Sequence, residues 1–189
     1  MLYNIHFEAA AIAFLLVLNL YIRIQYNSKP LTNRLYKRLG TILILCCILD
    51  VTTAVTISYA SMVPIWLNVL LNTLYFASDV VLEFQFIMYC SVCVYEKKPK
   101  ITEWACRIIS LLFFALLVVN VFTGWIFSFD ETGYVHGPIY MAVYFVPLLA
   151  IAISTVILFL GFKKFNTNQK LSVILYTVIV ITGPIIQML

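Results

Sequence analysis

The chain has 189 residues, 63% of them hydrophobic and 11% charged, with a net charge of +4, whereas a soluble globular domain is about 45–50% apolar and about 25% charged. That composition excludes a water-soluble domain and makes a lipid bilayer the expected surroundings. The basic excess lies in short loops too small to build a nucleic-acid-binding face, so no nucleic-acid partner is expected.

The first apolar block follows Met-Leu-Tyr-Asn-Ile-His-Phe-Glu, which lacks the basic n-region and cleavage site of a signal peptide. It is therefore expected to stay in place as a helix. A helix needs about 20 apolar residues to cross the hydrocarbon core, and blocks of that kind predict helices over 5–22, 39–59, 65–95, 108–129, 139–162 and 171–189. The expected fold class is all-α: a polytopic transmembrane bundle of six helices. The third helix, at a rise of about 1.5 Å per residue, outruns a core about 30 Å thick and must tilt, bend or emerge from the bilayer.

The connections fall into two sets. The breaks after helices 1, 3 and 5 contain Arg23, Lys29, Arg34, Lys37 and Arg38, then Lys97, Lys98, Lys100 and Arg107, then Lys163, Lys164 and Lys170, which are all twelve Lys and Arg of the chain. The N-terminal octet and the breaks after helices 2 and 4 contain none, and the latter instead carries Asp130, Glu131 and His136. Short-loop Lys and Arg stay cytoplasmic, so the N-terminus is expected outside. Contact with an anionic inner leaflet accounts for the net charge. Six helices that start outside also finish outside, and the last is still apolar at Gly183-Pro-Ile-Ile-Gln-Met-Leu189. The pattern predicts a chain cut before a seventh helix.

Three carboxylates fall within spans near mid-bilayer: Asp50 in helix 2, and Asp79 and Glu83 in helix 3. A charge at the centre of a span costs about 2.5–3.5 kcal/mol on insertion scales. With no Lys or Arg at that depth, these acids are expected to be neutral, hydrated or hydrogen-bonded to neighbours. Asp79 and Glu83, four residues apart, share a helix face with Asn72 and Phe76. Asn120 lies at similar depth in helix 4, so Asp50, Asn72, Tyr75, Asp79, Glu83 and Asn120 are expected to line one polar cavity. Two readings stay open for it: a site for a small ligand, cation or proton, or hydrogen bonding that holds the helices together.

Pro147 and Pro184 interrupt helices 5 and 6, where proline frees a carbonyl and permits a kink. The five cysteines, including the Cys90-x-x-Cys93 pair, read as small packing residues without a metal or structural disulfide. His6 and His136, with Glu8, Asp130 and Glu131, read as solvated polar residues of the outer face. No Ser-His-Asp set, H-E-x-x-H, phosphate loop or glycine fingerprint occurs, so no catalytic residue is assigned.

The opening Tyr3-Asn-Ile-His-Phe-Glu-Ala-Ala-Ala11, the run Asp50-Val-Thr-Thr-Ala-Val-Thr-Ile-Ser-Tyr59, and Val63-Pro-Ile-Trp-Leu-Asn68 with Leu71-Asn-Thr-Leu-Tyr-Phe76 resemble the N-terminal seven-helix sensor region of bacterial GGDEF proteins. Related seven-helix inputs precede histidine kinases. The resemblance spans the chain and is most specific between Asp50 and Phe76. It implies a sensor in the bacterial inner membrane, followed by a seventh helix and a cytoplasmic diguanylate cyclase that makes cyclic di-GMP from GTP with Mg²⁺ and works as a homodimer. No G-G-[DE]-E-F signature lies in the 189 residues, so this chain itself needs no cofactor. Alternatives are a small transporter or channel, the input region of a histidine kinase, or a structural scaffold.

Overall fold

The computed structural model describes residues 6–25, 31–130 and 133–165, together with 167, 170, 171, 173 and 174. Most of the expected sixth helix, with Pro184, lies outside the described residues, as do Glu131 and the side chains of His6 and Glu8. The chain is an all-α membrane bundle: α1 (His6–Gln25), α2 (Leu31–Ser58), α3 (Ile65–Tyr95), α4 (Lys100–Thr123) and α5 (Ala142–Gly161), with one hairpin of β1 (Phe127–Asp130) and β2 (Gly133–His136). The helices α2 to α5 are each long and apolar enough to cross a membrane, while the apolar stretch of α1, Ala9–Tyr21, is shorter. Large apolar side chains point outward along them, among them Ile101 at 86% exposure and Phe122 at 85%. In water such exposure costs about 25 cal/mol per Å²; against lipid it costs nothing. The protein is therefore a multi-pass membrane protein in contact with the bilayer.

Helix α3 is the axis. It packs against α2, α4, α5 and β1, and α1 leans on α2 from outside. Its end is set by Glu96, which takes the left-handed conformation (φ 59°) and donates its N–H to Val92 O at 2.9 Å. At this end the basic residues gather. The Arg23 guanidinium donates to Asn19 Oδ1 at 2.9 Å and Thr41 Oγ1 at 3.0 Å, tying α1 to α2. Lys164 lies over the Tyr95 ring at 6.0 Å, and Arg107 is paired with Glu103 at 2.6 Å. This is the end for which the positive-inside rule sets the expectation of a cytoplasmic location.

Three boundaries differ from the sequence expectation, among them the start of α4, which lies at Lys100, next to Pro99, and not at 108. Helix α2 begins at Leu31, not 39, so Arg34, Lys37 and Arg38 ride on helical turns. Its 28 residues make a rod of about 42 Å, longer than the core, and the long basic side chains reach water from its end. The expected helix over 108–129 stops at Thr123, because Gly124 adopts φ 65° and its N–H caps Asn120 O at 2.9 Å. Phe127, Ser128 and Phe129 then form β1, paired with His136, Val135 and Tyr134. Helix α5 runs unbroken through Pro147, which sits near its start, and passes into a 3₁₀ turn at Phe162–Lys164.

The core is two apolar clusters stacked along α3. The outer one joins Phe76 and Val80 to Phe113, Leu117, Ile126, Phe127 and Val143, so the hairpin is seated on the helices through Phe127. The inner one joins Ile87, Cys90 and Val94 to Cys106, Ala150, Ile157 and Leu158. Three of the five cysteines, Cys46, Cys90 and Cys106, are buried, and Cys90 and Cys106 belong to the inner cluster.

Candidate functional site

A cavity of about 410 Å³ lies between α2, α3, α5 and the hairpin. Each helix supplies a stripe at the same spacing: Asp50, Thr53, Ala54 and Ile57 from α2; Asn72, Tyr75, Phe76 and Asp79 from α3; Val143, Tyr144 and Pro147 from α5, with Tyr140 in the turn that precedes it. Steps of three, four and seven residues keep side chains on one helical face, so three faces converge on one space. Tyr134 and His136 close it from the hairpin.

Asp50 lies eight residues inside the Ser58 end of α2, about 12 Å below that end at a rise of about 1.5 Å per residue. The cavity thus runs from the hairpin end towards mid-bilayer, and its carboxylates lie deep while its aromatic rings lie near the hairpin. Local hydrogen bonds hold the stripes: Thr53 Oγ1 donates to Asp50 O at 2.8 Å, and Asn72 Nδ2 donates to Asn68 O at 2.9 Å. The aromatic wall is a chain of ring contacts. His136 stacks on Tyr140 at 3.8 Å, and Tyr140 meets Tyr144 edge-on at 5.5 Å, with their hydroxyls 3.3 Å apart. Phe76 touches Phe127 at 5.5 Å, and Phe127 stacks on Tyr134 at 5.8 Å.

Of the six residues expected at one cavity, Asp50, Asn72, Tyr75 and Asp79 line it. Glu83 does not. It lines a separate and largely apolar cleft of about 230 Å³ between α3, α4 and α5, with Phe84, Thr102, Cys106 and Ala150. Below Pro147 the small residues Ala150, Ser154 and Gly161 are all buried on α5. That lets α5 close on α3, so closely that a Cβ at Gly161 would collide with Val94.

Asn120 is also elsewhere. It is buried at 2% exposure, and its Oδ1 accepts the N–H groups of Ile126 (2.6 Å) and Phe127 (3.2 Å) while Nδ2 donates to Phe127 O at 3.2 Å. It holds the turn that leads into the hairpin. Sequence reasoning missed Tyr134, Tyr140, Tyr144 and the cavity position of His136. The i, i+3, i+4, i+7 spacing of Tyr140, Val143, Tyr144 and Pro147, matching that of the α3 stripe, was the available signal.

Comparison with protein-family models, with curated proteins and with solved structures returns no match to this chain.

Proposed function

We propose that the chain is the membrane-embedded input module of a bacterial signalling protein, placed in the cell membrane and receiving its stimulus in the cavity between α2, α3 and α5. The observation that carries this reading is the polarity of the bundle. A lined, partly acidic cavity lies at one end, and the lysines that follow α3 (Lys97, Lys98) and α5 (Lys163, Lys164) lie at the other. A stimulus that binds one packing of these helices better than another shifts the arrangement at the opposite end, by the free-energy difference between its two affinities. By its resemblance to seven-helix sensor regions of GGDEF proteins, the effector so controlled is a diguanylate cyclase, acting as a dimer on GTP with Mg²⁺.

A second reading is favoured by the same carboxylates. Asp50 and Asp79, lining a cavity within membrane helices, suit a proton or cation path in a small transporter.

Membranes carrying the intact gene product, supplied with GTP and Mg²⁺, separate the readings. The input-module reading expects cyclic di-GMP, with output altered by Asp79→Asn and unaltered by Glu83→Gln, since only Asp79 faces the cavity. A phosphorylated histidine in place of cyclic di-GMP assigns the kinase effector. Absence of both products, with cation or proton flux in proteoliposomes that Asp79→Asn abolishes, assigns transport and overturns the proposal.

A further inference from the structure

The chemistry of the cavity narrows the class of ligand that it takes; this inference rests on the reading of the cavity as the stimulus site. Its deep part carries Asp50 and Asp79, its outer wall carries Tyr134, His136, Tyr140 and Tyr144, and no Lys or Arg is among the described residues that line it. An anion would meet two carboxylates. A neutral apolar molecule would bring no polar group to the carboxylates, and burying such groups against an apolar surface is costly. A cation answers both halves of the site, since its charge is taken by the carboxylates and its substituents lie against ring faces, which attract positive charge.

The size of the space and the spread of its polar groups favour an organic cation over a bare ion. About 410 Å³ falls within the roughly 300–1,000 Å³ range of small-molecule pockets. Among the described residues, no three His, Cys, Asp or Glu side chains come together to hold a metal.

We infer that the cavity between α2, α3 and α5 is a binding site for an organic ammonium ion, with Asp50 and Asp79 taking the charged nitrogen and Tyr140, Tyr144 and His136 flanking its substituents. The ammonium group belongs either to a free amine or to the headgroup of an amino-phospholipid.

Isothermal titration of the intact protein in phosphatidylglycerol nanodiscs tests this, with phenethylamine and tetramethylammonium as probes and uncharged 2-phenylethanol as the isosteric control. At least one cationic probe is expected to bind, with the alcohol weaker by about tenfold or more, the scale of a lost charged hydrogen bond. Asp79→Asn should weaken the cation by a similar factor, Tyr144→Leu by about threefold or more, and Glu83→Gln not at all. Tyr144 is half exposed, so its replacement reports on binding even where Asp79→Asn fails to fold. Adding phosphatidylethanolamine to the discs distinguishes the sources. An unchanged Kd assigns a free amine, and a raised Kd assigns the lipid headgroup as competitor. Equal binding of amine and alcohol, or no binding of either cation, overturns the inference. In that case an effect of Asp79→Asn on cyclic di-GMP output would still uphold the input-module reading, and no effect would remove that reading as well.

Discussion

His136 and Tyr140 stack ring on ring, with centroids 3.8 Å apart and planes 10° from parallel. The pair joins the last residue of the hairpin to the turn that opens α5, so the aromatic lip of the cavity is fixed to the helix that forms one of its walls. An aromatic pair contributes about 0.5–1.5 kcal/mol beyond its burial, and His136 is exposed, which places this one at the lower end. His136→Ala is expected to lower the thermal midpoint in detergent slightly, and His136→Phe to restore it. Equal midpoints for both variants would mean that the stack holds nothing in place.

Asn120 is the anchor of the outer end. Replacement by Leu leaves the buried N–H groups of Ile126 and Phe127 without the acceptor they share. Each unsatisfied group costs about 1–3 kcal/mol, so for the two a loss of roughly 2–6 kcal/mol is expected in thermal unfolding. Asn120→Asp keeps the acceptor and loses only the bond to Phe127 O, and should fall between the two. A wild-type midpoint for Asn120→Leu would show that the hairpin is held by its apolar contacts alone.

Gly137 lies where the chain leaves β2 and passes against the backbone. A Cβ there would collide with the carbonyl oxygens of Trp125 and Gly124, while the Gly137 N–H donates to Ile126 O at 2.8 Å. No side-chain rearrangement relieves a backbone collision, so Gly137→Ala should displace the hairpin at a cost of about 1–3 kcal/mol, the usual range for overpacking. Chymotrypsin added to spheroplasts should then cut the segment between Trp125 and Tyr140 faster than in the wild type. An unchanged cleavage rate would mean that the segment absorbs the methyl group.

Much of this architecture is legible in the residues. The separation of all twelve Lys and Arg from the acidic outer loop orients the bundle, and apolar length alone places α3. The hairpin was hidden because Trp125, Ile126, Phe127 and Phe129 extend the hydropathy of α4 past the point where Gly124 turns the backbone. Only the alternation of Phe127 and Phe129, followed by a turn composition, marks a strand. The cavity was half legible for a related reason. Depth and polarity group Asp50, Asn72, Tyr75 and Asp79, which line one cavity, but they also group Glu83 and Asn120, which do not line it. What separates those two is the approach of α5 through Ala150 and Gly161, and the demand of a chain reversal for a buried amide, neither of which a single helix pattern contains.

The cavity opens at the hairpin end of the membrane helices, opposite the lysines that follow α3 and α5. The most direct test of this arrangement is a pair of single-cysteine variants in a background with all five native cysteines replaced by alanine: Ala54→Cys in the cavity wall, and Lys97→Cys just beyond α3. A membrane-impermeant maleimide added to intact cells is predicted to label Ala54→Cys and to leave Lys97→Cys unmodified until the membrane is permeabilised. Labelling of Lys97→Cys in intact cells, with Ala54→Cys protected, would contradict the account.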